Sequence, residues 1–164
     1  MTTRMEPTTR PTEVILVITR VFDAPRSLVF AAWTKSEHLQ RWQGAPRGFT
    51  VRVDKSDIRP GGAYRICMRS PEGTEHWLQG TYREVVEPER LVFTHAWSDA
   101  QGRPGRETLV TVTFAEIDGK TKLTLHQTGF EAVASRDGHK EGWSSALDRL
   151  AEYLLAAQHG GPPS

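Results

Sequence analysis

The residues with chemistry to offer in this chain are its six histidines, a few arginines set into strand-like runs, and one cysteine. His95 alternates with Phe93 and Trp97 in the run 91–97, and a period of two points these three side chains to one face of a strand. A neutral imidazole held among aromatics could orient a ligand carbonyl or act as a general base. The plainer alternative is a core histidine with one satisfied hydrogen bond. His76 and His126 read as outward-facing, and His139 as solvated. No two histidines show the His-x-His or His-Glu-x-x-His spacing of a metal site, so no metal is expected. Arg65 and Arg69 alternate with Tyr64, Ile66 and Met68 and share a face with Cys67. An arginine there could clamp a ligand carboxylate, but antiparallel sheets commonly wet one side, and a solvated outer face is the expectation. Nothing near Cys67 in the sequence supplies a base that would make it a nucleophile. No phosphate loop, dinucleotide fingerprint or nucleophile elbow occurs, so no cofactor is expected and no catalytic residue is assigned.

The elements that must position these groups follow from periodicity. Residues 14–22 are β-branched and read as a first strand; Asp23-Ala24-Pro25 stops it, and Pro25 suits the first turn of a short helix. Leu28, Val29, Ala32 and Trp33 have helical spacing. Ser36 can cap a second short helix, with Leu39 and Trp42 on one face and Gly44 past its end. Strands are then predicted at 49–57, 63–69, 75–86, 91–97, 107–117 and 120–128, the last two joined by Asp118-Gly119, a two-residue hairpin signal. Tyr64, Ile66 and Met68, then Leu91, Phe93, His95 and Trp97, then Val110, Val112 and Phe114, then Leu123, Leu125 and Gln127 form the concave face by alternation.

Trp143, Leu147, Leu150 and Leu154 then recur at 3.6 residues, with Ala146, Tyr153 and Ala157 beside them and charged residues opposite. One long amphipathic helix following an antiparallel sheet must lie across it, because neither apolar face is otherwise covered. A sheet curved around a helix commonly leaves a cavity between them.

Composition sets the outer bounds. At 164 residues the chain is expected to be one domain over 13–158, with flexible segments at 1–12 and 159–164. Lys plus Arg number 21 against 20 Asp plus Glu, so no net field recruits nucleic acid or an anionic membrane. A single cysteine excludes an intramolecular disulfide, and neither a signal peptide nor a membrane span is visible; a cytoplasmic location is expected.

The order strand, two short helices, six strands, long helix resembles the helix-grip fold of the START-like, or SRPBCC, superfamily. Within it the chain is most similar to single-domain homologues of the activator of the heat-shock-protein-90 ATPase. The residues that carry the resemblance are Asp23-Ala24-Pro25, Val29-Phe30-Ala31-Ala32-Trp33-Thr34, Leu39 to Trp42, Pro60-Gly61-Gly62, Gly80-Thr81-Tyr82, Arg90-Leu91-Val92-Phe93-Thr94, and Gly142-Trp143 with Leu147-Asp148-Arg149-Leu150. The resemblance implies an α+β fold in which a curved antiparallel sheet wraps a long C-terminal helix, with a cavity between them. Relatives include lipid and hormone binders and polyketide aromatase/cyclases, so it implies no single activity. The chain leaves no room for the additional N-terminal domain of the eukaryotic activators, and chaperone stimulation is not expected to carry over. Where the family often shows paired tryptophans after the second helix, this chain has Trp42-Gln43, and a more polar entrance is expected.

The expectation is therefore a cofactor-free module that binds a small hydrophobic or amphipathic molecule between sheet and C-terminal helix. Trp42, Tyr64, Met68, Phe93, His95, Trp97, Phe114 and Trp143 are the candidate ligand contacts, with Gln127 or Arg65 as further polar groups that could orient it. The helices around 33–44 and the loop 98–106 would border the entrance. The alternatives are an aromatase/cyclase-type enzyme using His95 or Tyr64 for proton transfer, and a chaperone-associated interaction protein. A homodimer is possible; insertion into a membrane is not expected.

Overall fold

The structure, a computed structural model, describes residues 14–42, 48–98, 101 and 103–158. The expected terminal segments at 1–12 and 159–164, and the helix end at Gln43 and Gly44, lie outside the described residues.

Strand β1 (Leu16–Phe22) is followed by helices α1 (Arg26–Thr34) and α2 (Ser36–Trp42). Strands β2 (Thr50–Ser56), β3 (Ala63–Arg69), β4 (Glu75–Val86), β5 (Arg90–Trp97), β6 (Thr108–Ile117) and β7 (Lys120–Thr128) lead to helix α3 (Val133–Gln158). Two helix starts differ from expectation. Pro25 is the N-cap of α1 rather than a residue of its first turn, and its carbonyl accepts from the amides of Leu28 and Val29. Lys35, not Ser36, occupies the N-cap position of α2: its carbonyl accepts from His38 and Leu39 while its own amide still bonds Ala31 of α1. The two helices thus share a single residue as junction, and Ser36 has no room to cap.

The seven strands form one antiparallel sheet in the order β1-β7-β6-β5-β4-β3-β2. The Asp118-Gly119 turn has positive φ at both residues, 51° and 79°, the geometry whose twist matches a two-residue hairpin. Gly80 is required by close approach instead. A Cβ there would lie 2.0 Å from the Thr94 carbonyl oxygen and 2.8 Å from the Tyr64 ring. Its absence lets the Tyr64 hydroxyl donate to that carbonyl at 2.5 Å and the Thr81 amide donate to Thr94 Oγ1 at 2.8 Å.

The concave face carries the residues that alternation assigned to it. Tyr64, Ile66, Met68, Leu91, Phe93, Val110, Val112, Phe114, Leu123 and Leu125 join Ala146, Leu147, Leu150 and Leu154 of α3 in one buried cluster. Trp97 is the exception, at 39% exposure. The other face of β5 is also covered: Val92, Thr94 and Ala96 are buried, as is Cys67 on β3. Arg65 does lie outside, stacked 3.9 Å over Trp77 and paired with Asp54 at 3.3 Å.

A buried polar thread joins α3 to three strands. The Trp143 indole donates to Gln127 Oε1 at 2.8 Å, Gln127 Nε2 donates to Thr108 Oγ1 at 2.8 Å, and the Thr108 hydroxyl donates to the His95 carbonyl at 3.0 Å. Gln127 is fully buried, with its carbonyl and its amide both engaged. No helix among the described residues is long and apolar enough to cross a membrane.

The thread makes a direct prediction. Gln127→Leu keeps nearly the same volume but strands the Trp143 N–H, a buried donor worth about 1–3 kcal/mol when left unpaired. Urea unfolding should show a loss of that size, and an unchanged midpoint would mean that the thread is dispensable.

Candidate functional site

The first half of α3 is built differently from the second. Ala134, Gly138, Gly142 and Ala146 repeat every four residues, a ridge of small side chains along one side of the helix. All four line a cleft of about 310 Å³ between α3 and the sheet. Further along, Leu147, Leu150 and Leu154 close the same interface completely, each at 1% exposure or less. The cleft therefore runs along the ridge where α3 presents alanine and glycine, with His139 and Trp143 beside it.

Across from the ridge the sheet contributes Met68 of β3, Leu78 of β4, and His95 and Trp97 of β5; Ser135, His139 and Trp143 complete the lining. The two histidines are the only titratable groups among these residues, and no Asp, Glu, Lys or Arg lines the cleft. Trp97 Nε1 donates over a long 3.4 Å to His139 Nε2, while His139 Nδ1 sits 2.8 Å from the Ser135 carbonyl. A carbonyl can only accept, so Nδ1 carries the proton, and the indole donation requires Nε2 to be bare. This contact joins the end of β5 to α3.

His95 stands at the floor, 5% exposed, its ring 5.9 Å from Trp97, 5.5 Å from His139 and 5.9 Å from Trp143. Burial, and secondarily the proximity of His139, lowers its pKa to about 3, against a weaker upward pull from its own main chain. The imidazole is therefore neutral at physiological pH.

Behind His95 lies a smaller void of about 20 Å³, lined by Trp33, Leu39, Tyr64, Ile66, Leu78, Tyr82, Phe93, His95 and Trp143. Leu78, His95 and Trp143 belong to both walls. Burial raises the pKa of Tyr82, and raises that of Tyr64 well above the ordinary phenol value, with smaller contributions there from Tyr82 and Glu107. On its outer side the cleft adjoins a pocket of about 150 Å³ that shares His95, Trp97, Ser135 and His139 and adds Arg106 and Glu131.

Of the expected ligand contacts, Met68, His95, Trp97 and Trp143 line the cleft, and Tyr64 and Phe93 line the void behind it. Trp42 and Phe114 line neither. Trp42 is fully buried, donates its indole N–H to the Ala32 carbonyl at 2.9 Å and packs 4.8 Å from Trp33. Phe114 packs edge-on against Phe30 and Trp33. Both hold α1 to the core. Gln127 spends its hydrogen bonds on Trp143 and Thr108, and Arg65 faces away, so neither is placed to orient a ligand in the cleft. The described lining reaches the surface beside Trp97 and the exposed residues Ala134, Ser135 and Gly138 of α3; of the entrance expected at 33–44 and 98–106, residues 43, 44, 99, 100 and 102 lie outside the described residues. Residues of α1 and α2 reach only the inner void, and of the loop before β6, Gly105 and Arg106 border the side pocket. Leu78, His139 and the small-residue ridge were missed; the four-residue repeat from Ala134 to Ala146 is the signal that would have found the ridge. Among the described residues no group of three His, Cys, Asp or Glu is placed to hold a metal ion.

The same architecture recurs in solved structures. A protein from Chromobacterium violaceum is 28% identical, superposes with a TM-score of 0.79, and covers 90% of this chain and 99% of its own. The AHSA1 protein of Silicibacter pomeroyi is also 28% identical with a TM-score of 0.79, over 87% of this chain and 98% of its own. A protein from Arthrobacter aurescens, 23% identical, reaches 0.80 over 91% and 93%, a likeness of fold alone. No curated protein matches. The family model described as "Activator of Hsp90 ATPase homolog 1-like protein" matches residues 23–155, from the turn after β1 into the last turns of α3, and the chain belongs to that family.

Proposed function

We propose that this chain is a cofactor-free binding module for a small, uncharged, mostly apolar molecule, held between β3–β5 and the first half of α3. The observation that carries the reading is the cleft itself: about 310 Å³, walled by Met68, Leu78, Trp97, Trp143 and Ala146, and without a formal charge in its lining other than what its two histidines could take up. That volume stands at the lower end of small-molecule sites, which run from roughly 300 Å³ upward. An anionic ligand would find no arginine or lysine among the lining residues to pair with. The family and fold, which serve ligand binding in other members of the superfamily, agree with the reading without naming a ligand.

The chemistry of the site favours binding over turnover. A general base works best with a pKa near the operating pH, and the pKa of His95 is lowered to about 3. Tyr64 is no better as an acid, because burial raises its pKa and its hydroxyl is committed to the Thr94 carbonyl.

Native mass spectrometry of freshly purified protein, compared with the same sample denatured, should reveal an extra mass of a few hundred daltons or less that is lost on unfolding. Gly138 supplies the control. A Cβ built on it meets nothing within 4 Å, so a large side chain there has the cleft to fill. Gly138→Trp should abolish the bound mass while the protein stays folded. Gly138→Ala should raise stability by about 0.5–1 kcal/mol, the ordinary gain for removing a glycine from a helix interior. Retention of the full bound mass in Gly138→Trp would place the ligand elsewhere.

The low pKa of His95 gives a second test. Below about pH 6.5 the unfolded chain takes up a proton on this residue, whereas the folded protein does not until about pH 3. The folded state therefore loses stability from this group as the pH falls through that window, by up to about 1.4 kcal/mol per unit. His95→Phe should remove about one proton's worth of that slope between pH 6 and 4.5 in paired urea titrations. Identical slopes in the two proteins would show that His95 titrates normally in the fold.

A further inference from the structure

Trp33 is 2% exposed, yet its indole N–H has no hydrogen-bond partner among the described residues. The other two buried indoles are satisfied, Trp42 by the Ala32 carbonyl and Trp143 by Gln127. Trp33 lines the inner void, which offers about 20 Å³, room for about one water or the end of one small polar group. A buried donor left without an acceptor, on a side chain that lines such a space, is costly unless something comes to accept from it. The neighbouring oxygens do not serve. The Tyr64 hydroxyl is turned to Thr94, and the rest of the lining, apart from Tyr82 and His95, is apolar. Leu78, His95 and Trp143 line both spaces, so the void lies directly beside the cleft, separated from it by these side chains.

We infer that the inner void receives the uncharged acceptor end of the ligand, a ketone, aldehyde or amide carbonyl on an apolar body, with the Trp33 N–H as its donor. The inference rests on the reading of the cleft as a ligand site and specifies the chemical class that the site takes. A carboxylate is disfavoured, because no cationic side chain lines the cleft or the void. A pure hydrocarbon is disfavoured because it leaves the Trp33 donor unpaired. A neutral imidazole at His95 offers one donor and one acceptor nitrogen beside the same space, and so tolerates a carbonyl without imposing a charge on it.

Three naphthalene derivatives of nearly one shape separate these cases: 2-acetonaphthone, 2-isopropenylnaphthalene and 2-naphthoate. Each is titrated into the ¹⁵N-labelled protein while the indole N–H resonances and the Gly138 amide are followed. The ketone should bind about tenfold more tightly than the isopropenyl compound, with the naphthoate weakest, and the Trp33 indole proton should move downfield with the ketone alone. Trp33→Phe, which also assigns that resonance, should lower the ketone's affinity to the level of the isopropenyl compound. The dispersed ¹⁵N amide spectrum of the same sample, with the Trp42 and Trp143 indole resonances retained, shows that the variant is folded. Equal affinities for ketone and hydrocarbon, or a preference for the naphthoate, would refute the carbonyl while perturbation of Gly138 upheld the cleft. A spectrum left unchanged by all three compounds would overturn both.

Discussion

The bond from the Trp143 indole to the Gln127 amide fixes how the C-terminal helix meets the sheet. Gln127 is fully buried, and a buried amide is tolerable only when its donor and acceptor are both engaged. Thr108 satisfies one end and Trp143 the other. That requirement sets both the depth and the rotation of α3, because apolar packing alone would accept several positions of a leucine stripe. The same indole stacks on Trp33 at 5.7 Å, so α1 is held in place through the helix it supports. A slip of one residue in the β7 pairing would turn Gln127 to the outer face and undo both of its hydrogen bonds at once.

From this fixed point the helix behaves in two ways. Toward its C-terminus, where α3 approaches β1 and α2, Leu147, Leu150 and Leu154 are buried in the core cluster. Toward its N-terminus, the ridge from Ala134 to Ala146 stands off β3–β5 and leaves the cleft. Gly138 makes the contrast plain when set beside Gly80. At Gly80 any side chain would collide with the Thr94 carbonyl, and the glycine is a condition of the fold. At Gly138 a Cβ would meet nothing within 4 Å, and each helix-interior glycine forgoes about 0.5–1 kcal/mol relative to alanine. Stability given up without a packing reason, at the mouth of a cleft, is the pattern expected where space itself is the useful feature.

The sheet was legible in the sequence because its burial is one-sided. The period of two in 63–69, 91–97, 107–117 and 120–128 named the concave residues correctly, apart from Trp97, and the Asp118-Gly119 turn carried its own backbone geometry. The leucine half of α3 was legible for the same reason, a strong period of 3.6. The site was only half legible. A search for large apolar residues finds Met68, Trp97 and Trp143, but it also picks up Trp42 and Phe114, which pack against α1. Pattern alone cannot separate a wall from a core, since both are apolar and both alternate. The ridge escaped because a cleft is made by what is missing, and small residues contribute little to a hydrophobic pattern. His139 escaped because its neighbours in sequence are polar, and its partners, Trp97 and His95, arrive from a strand more than forty residues earlier. The unpaired N–H of Trp33 had no sequence signal at all: it exists only once every nearby acceptor has been placed.

Membership of the family fixes the container and leaves the contents to a few side chains. Structures at 22–28% identity superpose over nearly their full length, so the fold by itself does not choose what the cleft would hold. For a cleft that binds as proposed, the selecting quantity in this chain would be desolvation. Lowering the His95 pKa from 6.5 to about 3 means that the site resists a positive charge by several kcal/mol, with burial as the main cause and His139 the lesser one. Burial opposes charge of either sign, so a carboxylate entering the same space would meet a penalty of similar origin without a lining cation to offset it. A site this intolerant of charge still holds polar groups, the His95 imidazole and the Trp33 N–H, whose needs an uncharged partner can meet. On the proposed reading, the cleft would therefore discriminate not by size alone but between a hydrogen-bonding neutral molecule and one that is either fully apolar or ionised.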